Sequence, residues 1–418
     1  MLAFIIFLKL NLAQKAGLIA FVIFIFLFNL NNLNIKIDNK AFSTTNIIYH
    51  ANPNLDTLIY YLWKYSYRDR GNHLKEFKPT NSSYDFKFNL IEDKFVKKQM
   101  QTKGILSYLY FQDNHVLIDE ISPKNRLGEF LDNESKFMSM SMNKSVTSYI
   151  LGHAMCDGYI GGLDERINDW PLLSNSLYDN QKIIDFLNMS VGDQKYINEF
   201  KKGTTGHPLA DLTYEYETND IFSTIGLFFK NSEKSKSYYN YNGFITQLLF
   251  NYIKHKTGED FQKILNKVFQ DKVKIKHSVH FGKMRNTSDK LGNGHPMVRM
   301  TRFDYLRLAK AIMDDYQNDT CVGKYLKEIH KRRIPKKYNE NKHEPAFNRT
   351  KSYGGQFHMD YPGLKNKVVF GMGGYGGRAI LIDVENSRIV VLNSLHYNND
   401  KFRYNVKKLL IDPIKKGK

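Results

Sequence analysis

Phe137-Met138-Ser139-Met140-Ser141-Met142-Asn143-Lys144-Ser145-Val146-Thr147-Ser148 is the stretch on which the reading of this chain turns. It contains Ser141-x-x-Lys144, and no other serine in the sequence has a lysine three positions on. On a helix, residues i and i+3 share a face, so a Ser141 hydroxyl and a Lys144 amine come within hydrogen-bond reach. A serine hydroxyl is a poor nucleophile until a neighbouring base takes its proton. A lysine buried one turn away can be that base, because desolvation disfavours the charged form of an amine. At a helix start the serine's own N–H lacks an intrahelical acceptor and can face a developing oxyanion. In a lysine-rich chain such a pair also arises by chance, so its weight depends on its surroundings.

Upstream, residues 104–111 and 115–121 are rich in Tyr, Leu, Val and Ile and are joined by Gln112-Asp113-Asn114, which predicts a β-hairpin. Residues 141–157 then predict a long apolar helix ending at Asp157-Gly158. Further upstream, Leu55, Leu58, Ile59, Leu62 and Trp63 give residues 53–75 an amphipathic helical pattern. Residues 160–355 alternate helical patterns, clearest at 181–187, 244–255 and 302–314, with polar loops. Among these, the Gly/Thr/Tyr-rich segment 201–220 is placed to border a cleft. The C-terminal part predicts three strands, 368–370, 378–384 and 388–392, separated by a glycine-rich turn over 371–377 and by 385–387. Residues 401–411 predict a closing helix. Strands early and late with helices between them predict an α+β fold. One antiparallel sheet built from about 104–121 and 367–395 is flanked by helices, a mainly helical second lobe covers about 160–355, and a site lies between them.

Composition bounds the function. The chain has 418 residues, 42% hydrophobic and 14% aromatic, which excludes a disordered protein. The net charge of +19 arises from 61 Lys+Arg against 42 Asp+Glu. The basic residues are scattered and no nucleic-acid motif is present, so no nucleic-acid partner is expected. The densest cluster, Lys331-Arg332-Arg333 with Lys336-Lys337, reads as a solvated basic surface. Cys156 and Cys321 are the only cysteines, and their spacing demands neither a metal site nor a disulfide. No metal and no cofactor are expected. The apolar run 16–28, preceded by Lys9 and Lys15, fits the hydrophobic region of an export signal. It is short for a full span, which needs about 20 residues. No Ala-x-Ala-like cleavage site follows, which favours an uncleaved signal-anchor in a bacterial inner membrane with the catalytic part facing the periplasm; a cleaved signal and secretion is the alternative. Residues 1–40 are thus assigned to the signal and tether, 41–95 to a partly helical N-terminal extension, and 96–418 to the functional domain.

The layout of a Ser-x-x-Lys on the first helix after a hairpin resembles the serine β-lactamase and penicillin-binding-protein superfamily. It is most similar to the class C β-lactamase-related branch of esterases and 6-aminohexanoate-dimer hydrolases. The resemblance runs over about residues 100–412. It is carried by the 137–148 segment as nucleophile helix, by Asp157-Gly-Tyr-Ile-Gly-Gly-Leu-Asp164 as its continuation, by Ile184-Asp-Phe-Leu-Asn-Met-Ser-Val-Gly192, and by Thr301-Arg-Phe-Asp-Tyr-Leu-Arg-Leu308.

The family's tyrosine motif falls in Tyr238-Tyr239-Asn240-Tyr241-Asn242-Gly243. The helix that follows sets a register favouring Tyr241 as acid/base, with Gly243 where many relatives have Asn; Tyr238, with Asn240 retained, is the alternative base. The family's third motif, Lys-Thr-Gly or His-x-Gly, falls in Phe370-Gly371-Met372-Gly373-Gly374-Tyr375-Gly376-Gly377-Arg378, with Met372 in the cationic position. Gly373, Gly374 and Tyr375 would then line the site. The N–H of Tyr375, or of Gly374 in a shifted register, is the implied second oxyanion donor beside that of Ser141. Arg378 reads as a solvated strand residue, with a displaced cation for a substrate carboxylate as the alternative. The resemblance implies a cofactor-free serine hydrolase acting on a small-molecule or peptide-like amide or ester through an acyl-enzyme on Ser141. The alternatives are penicillin-binding or β-lactamase activity, which Met372 disfavours, and a catalytically degenerate membrane-anchored binding protein.

Overall fold

The computed structural model describes residues 54–62, 73–79, 82–193, 221, 225–282, 297–336, 350–396 and 400–418. The chain divides into two compact units, 1–57 and 58–418. The apolar run 16–28 and the loop 201–220 lie outside the described residues, within which no helix is long and apolar enough to cross a membrane.

In chain order the elements are α1 (Leu55–Leu62), β1 (His73–Phe77), β2 (Lys87–Phe88), α2 (Lys94–Thr102), β3 (Ile105–Gln112), β4 (His115–Ile121) and β5 (Lys136–Met138). A 3-10 turn (Met140–Met142) leads into α3 (Asn143–Cys156). Then come β6 (Arg166–Ile167), β7 (Gln181–Lys182), α4 (Ile183–Leu187), α5 (Phe244–Thr257), α6 (Phe261–Asn266), β8 (Val279–Gly282), β9 (Val298–Thr301), α7 (Arg302–Gln317) and α8 (Cys321–Lys331). The chain closes with β10 (Ile334–Pro335), β11 (Ser352–Gly354), β12 (Phe357–Met359), β13 (Val369–Gly374), β14 (Arg378–Asp383), β15 (Arg388–Ser394) and α9 (Asp412–Lys416).

A nine-stranded sheet in the order β10-β11-β12-β13-β14-β15-β3-β4-β2 is antiparallel except for β2 beside β4. Early and late strands meet where β15 pairs with β3, Val391 opposite Leu109. The β3–β4 hairpin turns through Asp113 and Asn114, both with positive φ, the conformation two-residue hairpin loops require. The sheet is covered on both faces, which is why its strands read as unbroken apolar runs. Ile380, Ile382, Ile389 and Val391 face a core shared with α3, α7 and α8. Ala379, Leu381, Val390 and Leu392 face a second core closed by α2 and residues 404–414. At about 25 cal/mol per Å² of apolar surface, this two-sided burial drives the assembly.

Four expectations are corrected. The pattern over 53–75 makes a helix only at 55–62, and His73–Phe77 is instead a strand. Its pairing with β8 outweighs any local preference. The central segment is not simply helical: β8 and β9 join β1 and β5 in a four-stranded sheet, and β10 to β12 extend the main one. Residues 371–374 are strand rather than turn, paired through Gly374 opposite Arg378. The closing helical segment begins at Lys407, not 401. A further feature is a Cys156–Cys321 disulfide, joining the end of α3 to the start of α8.

Candidate active site

The segment carrying Ser141 is held from β9 and α7. Ser139 N–H donates to the Val298 carbonyl at 2.7 Å, and Val298 N–H donates to Ser139 Oγ at 3.1 Å. Tyr305 Oη donates to the Phe137 carbonyl at 2.8 Å. The chain then passes through Met140 at φ +49°, a left-handed conformation costing a non-glycine residue about 1–2 kcal/mol. Such strain survives only where the surroundings impose it, and it gathers at functional sites. It turns the chain so that, from Ser139 through Ala154, Ser141 is the single residue not buried. One turn on, Lys144 is 7% exposed and its Nζ donates to Ser141 Oγ at 3.2 Å.

The Lys144 amine lies 4.8 Å from the centroid of the Tyr241 ring, over its face. The structure therefore brings Ser141, Lys144 and Tyr241 together. Tyr238, the alternative base, is half-buried in the same loop. Tyr241 is fixed through its neighbours. Asn240 Nδ2 and Asn242 Nδ2 donate to the two oxygens of Asp193 at 3.3 and 3.0 Å. Asn242 Oδ1 accepts from Ile245 N–H in the first turn of α5, and Asn240 N–H donates to the Met189 carbonyl. Asp193, which the sequence reading missed, is fully buried. Burial pushes its carboxyl up to about 6, against the opposing hydrogen bonds from Asn240, Asn242, its own backbone and Tyr178.

The glycine-rich strand reaches the same place. A Cβ on Gly374 would lie 2.8 Å from the Ser139 carbonyl oxygen and 3.3 Å from Met140 Cβ, so only glycine lets the end of β13 approach the Ser139–Met140 turn this closely. Gly373 pairs with Ala379, and Gly377 N–H closes the following turn onto the Gly374 carbonyl. Tyr375 stands at the tip of that turn, 45% exposed. Met372 is buried, in the core cluster that also holds Phe370, Met140 and Met142. One expectation fails here. Arg378 is buried rather than solvated, its Nη1 donating to the Tyr375 carbonyl at 2.8 Å.

The cations near Tyr241 come from elsewhere. Lys336, read as part of a solvated basic cluster, is buried at 8% exposure. Its Nζ lies 2.5 Å from Thr350 Oγ1 and 2.8 Å from His358 Nδ1. The His358 ring packs on Tyr241 at 6.1 Å between centroids, 29° from parallel. Nothing local in the sequence marks these residues.

The α+β fold, with α3 packed against a large antiparallel sheet, is similar to that of solved structures described as hydrolases and as a class C β-lactamase. A protein from Bacillus anthracis assigned as a 6-aminohexanoate-dimer hydrolase superposes with a TM-score of 0.61 at 12% identity, over 85% of this chain and 94% of that one. EstCE1, a hydrolase with promiscuous acyltransferase activity, gives 0.52 at 13% identity over 75% and 94%. A D-stereospecific amidohydrolase from Streptomyces gives 0.51 at 13% identity over 78% and 100%. At these identities the likeness is one of fold. No protein-family model matches the sequence, and no curated protein matches it significantly.

Proposed function

We propose that this protein is a serine hydrolase that cleaves an amide or ester bond through an acyl-enzyme. The observation that carries the reading is the Lys144 amine, 3.2 Å from the hydroxyl of Ser141 and 4.8 Å above the Tyr241 ring. Ser141 Oγ attacks the carbonyl carbon, and its proton passes to Lys144 or through it to Tyr241. Tyr241 protonates the leaving amine or alcohol as the carbonyl–heteroatom bond breaks. The N–H groups of Ser141 and Tyr375 receive the oxyanion, and the shared approach of β13 and the Ser139–Met140 segment supports that pairing. Water, deprotonated by the same base, then releases the acid and restores Ser141. The solved structures of the same fold include proteins named as an amidohydrolase and as a hydrolase with acyltransferase activity, which supports the amide or ester reading. Met372, closed into the core, leaves β13 without the cation that the resemblance associates with β-lactam and cell-wall peptide substrates.

The site works outside the cytoplasm, on a chain held or exported by residues 1–40. The Cys156–Cys321 disulfide supports this, because such bonds persist in oxidising compartments.

Intact-mass spectrometry after exposure to a fluorophosphonate tests the reading. A single adduct on the parent protein, absent from Ser141→Ala and slowed in Lys144→Ala, is expected. A folded parent protein that gains no adduct overturns it and returns weight to the binding-protein alternative.

A further inference from the structure

The site as described has one amine, Lys144, supplied by helix α3. A second lies on the sheet side. Lys336 follows β10, His358 belongs to β12, and Thr350 lies just before β11. All three are buried, and they form a contiguous polar cluster in which Nζ of Lys336 contacts both the Thr350 hydroxyl and His358 Nδ1. The amine also lies over two rings, 5.6 Å from the centroid of Tyr239 and 5.8 Å from that of Tyr353. Tyr353 meets Tyr241 edge-on at 6.1 Å and His358 edge-on at 5.2 Å. The cluster therefore reaches Tyr241 through two of the rings that hold it.

The chemistry assigns the proton positions. An ammonium has donors and no acceptor, so Thr350 Oγ1 and His358 Nδ1 both accept from Lys336. His358 is then neutral, with its remaining proton on Nε2. Burial first, and the positive charges of Lys336 and Lys144 next, hold His358 well below its ordinary range and agree with that assignment. Two amines thus act on one imidazole, and that imidazole packs on the tyrosine read as the acid/base.

We propose that Lys336 and His358 are positioning residues for Tyr241. His358 packs on the Tyr241 ring and holds it in place, and Lys336, behind His358, supplies from the sheet side positive charge that favours the phenolate over the phenol. The assignment rests on Tyr241 being the general base. Among the described residues, the groups that bear on Tyr241 include Lys144 from α3, Tyr239 from its own loop, Tyr353 from β11 and His358 from β12, with Lys336 behind the last two and Asp193 reaching it through Asn240 and Asn242. Tyr353 stays a phenol throughout, its hydroxyl pushed well above the ordinary value chiefly by burial. Asp193, up at about 6, contributes a separate acid limb that substitutions at Lys336 leave in place.

The test is the pH dependence of acylation by an activated p-nitrophenyl ester, followed as the burst of p-nitrophenol in the full chain. Lys336→Met keeps the stem and removes the charge. It is expected to move the Tyr241 limb to higher pH by about one unit, a roughly tenfold slower burst on that limb. Lys336→Arg restores the charge and returns the limb towards its parent position. If Lys336→Met does not fold, His358→Phe keeps a ring against Tyr241 and removes the Nδ1 acceptor; it is expected to move the limb in the same direction. A folded variant whose limb stays in place, with Ser141→Ala inert and Tyr241→Phe lacking the limb, overturns this proposal and leaves the hydrolase reading standing. A burst that survives Ser141→Ala overturns both.

Discussion

Asp193→Asn is the substitution whose outcome can be worked most fully from the structure. The carboxyl is completely buried and stands at about 6, against an ordinary 3.8. Its folded form binds a proton more tightly than its unfolded form. It therefore contributes stability that is fully present below the unfolded value and is lost as pH rises through the folded one. The gap of about 2.2, at about 1.36 kcal/mol per pH unit, gives a loss of about 3 kcal/mol between roughly pH 4 and pH 6. The three side-chain donors, Asn240, Asn242 and Tyr178, keep that loss from being larger. Other carboxylates titrate over the same range, so the useful quantity is the difference between parent and variant. Asparagine does not titrate, and its fixed cost cancels. Urea unfolding of both proteins between about pH 4.5 and about pH 7.5 should show the parent losing about 2 kcal/mol relative to the variant, the part of the full loss that falls in that interval. A parent-to-variant difference that is constant across the interval would refute the reasoning. Asp193 would then be ionised throughout, and the donors around it would outweigh its burial.

Two further substitutions have defined outcomes. Gly374→Ala places a Cβ 2.8 Å from the Ser139 oxygen; the turn or β13 must give way, at a cost of about 1–3 kcal/mol. Because the displaced atoms precede Ser141, fluorophosphonate labelling should slow by at least about tenfold while thermal melting stays cooperative; unchanged labelling would separate β13 from the chemistry. Replacing Cys156 and Cys321 by serine opens a loop of 165 residues, worth about 5 kcal/mol in the chain-entropy treatment. A midpoint of unfolding lowered by several degrees is expected, with the same result on reducing the parent protein.

The legible parts of this fold are those whose cause is local. Residues 379–382 and 389–392 are apolar without interruption because both faces of their strands are covered. The Asp113-Asn114 turn announces its hairpin, and Ser141 and Lys144 are three residues apart. What escaped the sequence depends on distant partners. His73–Phe77 has no strand signature and becomes one by pairing with β8. Gly371–Gly374 reads as turn because glycine is poor in strands, yet here it permits contact with Tyr361 on one face and with the Ser139–Met140 segment on the other. Lys336 looked like one more surface lysine because its partners, Thr350 and His358, lie 14 and 22 residues away. Asp193 could have been found only by knowing that Asn240 and Asn242 turn towards it. Arg378 was misread for the same reason: a strand charge is judged solvated until an enclosing core is known.

The disulfide has an architectural consequence. Cys156 and Cys321 have Cα atoms 5.8 Å apart, so the 165-residue excursion between them leaves and re-enters the rest of the molecule at nearly one point. That excursion is a covalently closed lasso. Ser141 and Lys144 lie just before its knot, while Lys336, His358 and Gly374 lie after it; the lasso carries Tyr241, the Asp193 that anchors it, and the Val298 and Tyr305 that hold the Ser141 segment. A lineage, or an engineer, could vary the part of the lasso that bears Tyr241 as a cassette between fixed ends, provided that β9 and α7, which seat the Ser141 segment, are kept.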